Sequence, residues 1–382
     1  MHTNMKKALV GSAAVMAAAG TVAGVGAYLG VRAIRRRLQP EVDFRDAVVA
    51  ITGGSRGLGF ALALEFAQRG ARLAICARDE ETLREAEHRL HAYGVQVFAF
   101  RCDIGVRAQA EDFVRNVQQH FGRIDVLINN AGQIEVGPLE SQRVEDFQQA
   151  MDTMYWGMVY TSLAAYPAMT ARRSGRIVNI TSIGGKVAVP HLLPYCGAKF
   201  AAVGFSEGLR AELAKDNLRV TTVVPGLLRT GSHMNATFKG DHHKEYSWFA
   251  MGASLPLVSM GARRAARKIV NAAARGTAEI VLTPQAKLAV AVHGLAPGLV
   301  SDIAGLANRL MPGTGSRRPQ LYTGKESSTP LTESFLTHAG RTAARDFNQH
   351  PESGPVGGDK DISSRPLRPR AVGQNLEPLE AD

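Results

Sequence analysis

The chain has 382 residues and a formal net charge of +11, with 45 Lys and Arg against 34 Asp and Glu. That length admits two domains, and the basic balance raises nucleic acid as a partner. No basic run is interleaved with aromatics, and the densest cluster, Arg35-Arg36-Arg37, flanks an apolar stretch, so nucleic-acid binding is set aside.

The apolar stretch runs from Ala8 to Val31, 24 residues without a charge. As a helix it would reach about 36 Å against a hydrocarbon core of about 30 Å. Lys6 and Lys7 precede it, and Arg32, Arg35, Arg36 and Arg37 follow. The larger positive charge on the C-terminal side predicts a membrane anchor over residues 1–37 with the domain that follows it cytoplasmic. Because 13 of the 24 residues are Ala or Gly, insertion would be marginal. A cleaved signal peptide and a soluble helix packed on the domain are the alternatives.

Ala47–Ile51 reads as a buried strand, followed at once by Thr52-Gly53-Gly54-Ser55-Arg56-Gly57-Leu58-Gly59 and then by a helical apolar pattern. A strand, a glycine turn and a helix N-terminus offer a pyrophosphate close backbone approach, N–H groups and a favourable dipole. The next strand, Arg72–Ala77, ends without the carboxylate that would bind a ribose 2′-OH. Arg78 follows it and Arg56 lies in the turn, so a 2′-phosphate and hence NADP(H) is the expected cofactor. Asp79 could pair with Arg78 and blunt that preference. Strands over Ile124–Ile128, Arg176–Ile180, Arg219–Val224 and Glu279–Leu282 alternate with helical segments. The pattern predicts an α/β fold, a doubly wound parallel sheet of Rossmann type, in one domain over 44–285.

Tyr195 and Lys199 lie four apart, which on a helix sets them on one face, thirteen residues after Ser182. A neighbouring ammonium and an oxidised nicotinamide would both draw the phenol down from its usual pKa near 10. Tyr195 would then be the general acid in carbonyl reduction and the base in alcohol oxidation, with Ser182 holding the substrate oxygen.

With these motifs in register, residues 44–284 resemble the short-chain dehydrogenase/reductase family. The resemblance implies that Thr52, Gly53, Ser55, Arg56, Gly57, Leu58 and Gly59 line the cofactor and that Asp103 contacts the adenine. It implies that Asn130-Ala131-Gly132, after Asn129, border the cofactor, that Lys199 also binds the ribose, and that Thr230, beyond Pro225-Gly226, contacts the carboxamide. A homo-oligomer is expected. One position departs from the family. Met154 stands where an asparagine often holds a water of the proton relay, and a thioether makes a poor hydrogen-bond partner. This keeps an NADP(H)-binding sensor or scaffold with little turnover as the alternative to an enzyme.

Three cysteines, Cys76, Cys102 and Cys196, are an odd number without metal-type spacing, which suits a reducing compartment. Cys196 reads as a small buried filler. His242-His243 reads as solvent-facing, and no metal is expected. Residues 286–312 form an interrupted apolar segment read as one or two helices that pack on the domain or dip into a bilayer surface. From Gly313 to Asp382 the chain holds seven Pro, eight Gly and balanced charge, which predicts disorder. The sum is a membrane-attached, NADP(H)-dependent oxidoreductase acting on a small carbonyl or alcohol, with an apolar, lipid-like substrate expected from the closeness of anchor and site.

Overall fold

The computed structural model describes residues 41–255, 259–315, 320–329, 332 and 337–349. Seven strands form the central sheet: β1 Val48–Thr52, β2 Arg72–Ala77, β3 Val97–Arg101, β4 Val126–Asn129, β5 Arg176–Ile180, β6 Arg219–Val224 and β7 Glu279–Val281. Their order is β7-β6-β5-β4-β1-β2-β3, and every neighbouring pair is parallel. Chain direction across the sheet reverses between β1 and β4, which opens a crevice at the carboxyl ends of the strands.

The helices are α1 Gly57–Ala67, α2 Glu80–His91, α3 Arg107–Phe121, α4 Val144–Met151, α5 Gly157–Ala171, α6 Leu193–Leu213, α7 His242–Ser254, α8 Ala262–Ala274, α9 Pro284–Leu295, α10 Pro297–Asn308 and α11 His338–Asp346. Local chemistry sets several of their ends. Asp79 caps α2 by accepting from the Thr82 N–H at 2.8 Å, and Glu80 and Glu81 add negative charge at the positive end of the helix dipole. Gly122, at φ 78°, takes the left-handed conformation that closes α3.

Both sheet faces are covered, and the central strands read as near-continuous apolar runs for that reason. One cluster joins Phe60, Leu62 and Phe66 of α1 to Ile269 and Val270 of α8. The other joins Phe113 and Val117 of α3 to Ala165 and Met169 of α5. Truncating a fully buried ring such as Phe66 costs about 3–5 kcal/mol.

A buried polar chain runs through this second layer. Thr161 Oγ1 donates to Asn129 Oδ1 at 2.6 Å, Asn129 Nδ2 to Asn179 Oδ1 at 2.9 Å, and Asn179 Nδ2 to Ser206 Oγ at 3.0 Å. Ser206 in turn shares a proton with Thr222 at 2.7 Å. The chain fixes α5 and α6 to β4, β5 and β6 directly beneath the carboxyl-end crevice, and Asn129 is a brace inside the core. Between α4 and α5 the backbone widens into a π turn, Asp152–Trp156, which carries Met154 inward to a buried position.

Two expectations change here. Disorder does not extend over the whole of 313–382. Tyr322–Thr323 pairs antiparallel with Thr237–Phe238, and α11 packs on the domain with Ala343, Ala344 and Phe347 buried. The packing is close because the residues are small: a Cβ on Gly231 (φ +74°) would sit 2.4 Å from Ala344 Cα. Residues 350–382 lie outside the described residues. His242 does not face solvent; it is buried, stacks on Tyr322 with ring centroids 3.8 Å apart, and meets Ser327 Oγ at 3.0 Å.

Residues 286–312 form α9 and α10. They are two helices as allowed, but α9 buries only Ala286 and α10 buries nothing. Leu288, Leu295, Leu299, Ile303 and Leu306 are all more than half exposed. Among the described residues no helix is long and apolar enough to cross a membrane, and the anchor expected over 1–37 lies outside them.

Candidate active site

The crevice holds a cleft of about 720 Å³ that extends from Arg78 at the end of β2 to Tyr195 and Thr230 on the other side. At its centre is the glycine turn between β1 and α1. Gly53 and Gly57 take positive φ, +64° and +59°. Gly59 has no room for a side chain, since a Cβ there would lie 2.0 Å from the Gly53 carbonyl oxygen. The turn is braced from β4: Thr52 Oγ1 accepts the N–H groups of Asn130 and Ala131 at 3.0 and 3.1 Å. Asn130 Nδ2 donates to the carbonyls of Thr52 and Gly53 at 3.1 and 3.0 Å. Thr52 and Gly59 therefore shape the cradle from behind, while Gly53, Ser55, Arg56, Gly57, Leu58, Asn130, Ala131 and Gly132 line it. The Gly57 N–H is turned to the Phe347 carbonyl at 2.8 Å, so this residue serves the cleft by its lack of a side chain.

At the β2 end the charges sort themselves. Asp79 is occupied as the α2 cap, and the Thr82 N–H and hydroxyl hold its carboxyl below the usual range. The pairing with Arg78 that the sequence allowed gives way to that role. Arg78 donates to Gln133 Oε1 at 3.1 Å and stands 4.0 Å from Asp103. Arg56 is largely buried, and desolvation lowers its pKa. Asp103 lines the same end and accepts the Gly105 N–H at 3.0 Å.

At the other end, Ser182 follows β5 and Tyr195 and Lys199 lie on α6, whose first turn carries Pro194. Ser182 and Tyr195 both line the cleft, near enough for the serine to draw the phenol's pKa down, and Ser182 Oγ accepts the Gly184 N–H at 3.1 Å. Lys199 Nζ lies 5.8 Å from the centre of the Tyr195 ring and donates to the Ile180 carbonyl at 2.9 Å. The electrostatics of the protein groups differ from the expectation. Burial pushes the Tyr195 phenol up to about 12, against a smaller downward pull from Ser182, and pushes Lys199 down to about 8. Lysine and phenol share a dry wall, and each resists its charged form. Cys196 is buried as a filler, and burial raises its thiol.

Gly132 spaces the wall from the π turn. A Cβ on it would lie 3.6 Å from Met154 Sδ and 3.7 Å from Lys199 Nζ, so Met154 does stand on the lysine side of the site. Pro225 accepts the Ile183 N–H at 2.7 Å, and Gly226 leaves no space for a Cβ, which would meet Thr283 Oγ1 at 2.5 Å. Both line the cleft with Thr230.

The family model for short chain dehydrogenase matches residues 47–240. The chain belongs to the short-chain dehydrogenase/reductase family. Among its relatives, a Mycobacterium tuberculosis protein named SadH is 35% identical over 247 residues, covering 64% of this chain and 89% of that one. Dehydrogenase/reductase SDR family member 7B of Bos taurus is 34% identical over 263 residues, covering 67% and 79%. A short-chain type dehydrogenase/reductase from Mycobacterium marinum superposes with a TM-score of 0.55 at 26% identity, over 63% of this chain and 94% of that one. The family consists of oxidoreductases that use a nicotinamide coenzyme, NAD or NADP, on carbonyl and alcohol groups of small molecules.

Two groups at this family site were not singled out from the sequence. Gln349 lines the cleft, and the segment carrying it has no motif and is rich in Pro, Gly and charge. Glu245, wholly buried, joins His191 Nδ1 at 2.6 Å to Trp248 Nε1 at 2.7 Å and so fixes Trp248 in the cleft wall. An acidic residue at the start of an apolar helix was the only available signal.

Proposed function

We propose that the protein is an NADP(H)-dependent oxidoreductase in which Ser182, Tyr195 and Lys199 carry out proton transfer at a carbonyl or alcohol. The observation that carries this reading is that Ser182, Tyr195 and Lys199 line the same cleft as the glycine turn. The cradle fits a dinucleotide: it has bare glycine backbone where phosphates would approach and two guanidinium groups at the ribose end. The coenzyme supplies the hydride donor or acceptor. Thr52, Gly53, Ser55, Arg56, Gly57, Leu58 and Gly59 shape its central cradle, and Arg78 and Asp103 hold the adenosine end. Asn130, Ala131, Gly132, Pro225, Gly226 and Thr230 line the nicotinamide end.

Ser182 orients the substrate oxygen and Tyr195 gives or takes its proton. A phenol held near 12 stays protonated at neutral pH, which is the form that reduction requires. Lys199, at about 8, keeps a large charged fraction at neutral pH and can pass a proton on. In the oxidative direction the phenol needs the positive charge of the oxidised coenzyme beside it. Met154 favours the second reading, a sensor with little turnover, because a thioether stands at the position of the family asparagine.

The wall of the cleft beyond Tyr195 is built from Val189, Leu192, Trp248, Phe249 and Ala253, which suits an apolar substrate of lipid, sterol, retinoid or quinone type. The exposed leucines of α9 and α10 are an apolar surface that suits the edge of a bilayer, and residues 1–37 supply the anchor, with the catalytic domain in the cytoplasm. Trp156, Leu163 and Phe200, exposed on the π turn, α5 and α6, suit a homo-oligomer contact.

Tyr195→Phe tests the reading. Turnover of NADPH with a panel of carbonyls should vanish while NADPH still binds. Equal slow oxidation by wild type and variant across broad carbonyl and alcohol panels would refute the enzyme and promote the sensor.

A further inference from the structure

Residues 347–349 lie across the glycine turn, and each makes a different bond there. The Phe347 carbonyl accepts the Gly57 N–H at 2.8 Å. Asn348, buried and at φ +58°, donates from Nδ2 to the carbonyls of Ser55 and Thr82, both at 2.9 Å. Gln349, also buried, donates from Nε2 to the Thr230 carbonyl at 3.2 Å and accepts from Asn235 Nδ2 at 2.6 Å. Its Nε2 lies where a Cβ on Gly57 would approach to 2.8 Å.

The segment is held in place from behind. Arg89 donates to the Asp346 carbonyl at 2.7 Å, Arg263 stands 3.7 Å from the Asp346 carboxylate, and Phe347 is part of the core. The strap thereby joins the turn, the start of α2 and the loop bearing Thr230. These are the three segments that would hold the phosphates, the adenosine end and the carboxamide.

A primary amide has two N–H donors, and the Thr230 carbonyl takes one of those on Gln349. The second belongs to a group that is uncharged, buried and set at the edge of a cleft shaped for an anion.

We propose that Gln349 is a cofactor-binding residue whose amide donates to a phosphate oxygen of the dinucleotide, and that Asn348 is the positioning residue that fixes the strap. The inference rests on the coenzyme reading above. The pyrophosphate is common to NADPH and NADH, so the contribution of Gln349 is independent of the choice between them, unlike that of Arg78.

The test is fluorescence titration of the full chain with NADPH and with NADH. Gln349→Ala should raise Kd for both by about tenfold, the size expected for one hydrogen bond to a charged group. Gln349→Glu keeps the length of the side chain and its contact with Asn235 but sets a carboxylate beside the phosphates, and should weaken both coenzymes further. Asn348→Ala should raise Kd while kcat at saturating coenzyme stays within about twofold of wild type.

Amide exchange in the unmodified protein should slow over residues 338–349 when NADPH binds. Unchanged or tighter binding by a folded Gln349→Ala or Gln349→Glu variant, or faster exchange of the strap on adding NADPH, would overturn the proposal. The last result would make the strap a plug that the coenzyme displaces. Failure of the wild type to bind either coenzyme would overturn the underlying reading and the inference with it.

Discussion

Arg78→Ala separates the two coenzymes most directly. The guanidinium sits at the end of β2 with nearly half of its side chain exposed, bonded to Gln133 at 3.1 Å and distantly to Asp103 at 4.0 Å. Asp79, the carboxylate next to it, is committed to capping α2. A charge-assisted contact to a 2′-phosphate contributes about 1.5–3 kcal/mol, and solvent screening at this exposure places it at the lower end. About 1.5 kcal/mol is about tenfold in Kd. NADPH should therefore bind roughly tenfold more weakly to the variant, while NADH, lacking the phosphate, should change by less than about twofold. Arg56, more deeply placed, remains and should keep a residual preference for NADPH. Titration of each coenzyme against protein fluorescence at about 0.05 and 0.5 M salt reads both effects, and the wild-type preference should narrow at the higher salt. Equal weakening of NADPH and NADH would show that Arg78 supports the loop and does not read the phosphate.

Three further outcomes follow from the geometry. Gly59→Ala should abolish coenzyme binding and lower the melting temperature, because the added methyl has 2.0 Å to the Gly53 carbonyl oxygen; retained binding would show that the turn is free to move. Lys199 titrates near 8 in the fold against an ordinary 10.5, so between those values the unfolded chain holds the extra proton and stability rises with pH. Denaturant titrations should accordingly show Lys199→Met gaining on wild type at pH 7 relative to pH 10, by a difference of about 2 kcal/mol, and a pH-independent difference would mean the ammonium is solvated. In protein lacking residues 1–37, replacing Leu295 and Leu299 by Asp should weaken binding to lipid vesicles and leave activity on water-soluble carbonyls unchanged; undiminished vesicle binding would remove α9 and α10 from the membrane surface.

The sheet was legible because parallel strands covered on both faces must be apolar throughout, and β2, β5 and β6 coincide with the runs read from residues 72–77, 176–180 and 219–224. The glycine turn and the Tyr195–Lys199 spacing were legible for a similar reason: few residue types satisfy that backbone and that chemistry. The protonation balance was not, because it depends on how dry the wall is, and dryness is a property of residues contributed by β5, the loop before α6 and α7 together. Nor was the strap. Asn348 and Gln349 are ordinary polar residues in a stretch of low hydrophobicity, and their role arises only where α11 docks on Gly231. The π turn is likewise silent in sequence, since it is one residue of slack in a ladder that composition does not mark.

The bond from Asn348 to Ser55 spans 293 positions of sequence. During synthesis the glycine turn leaves the ribosome long before the strap that closes it, and the nascent domain exists for that interval with an open nucleotide cradle. A fragment cut at residue 313 would look whole by every motif and still lack the final fastening. A nicotinamide coenzyme bound in the cradle would then act as a late folding partner, holding the late-made strap against the early-made turn.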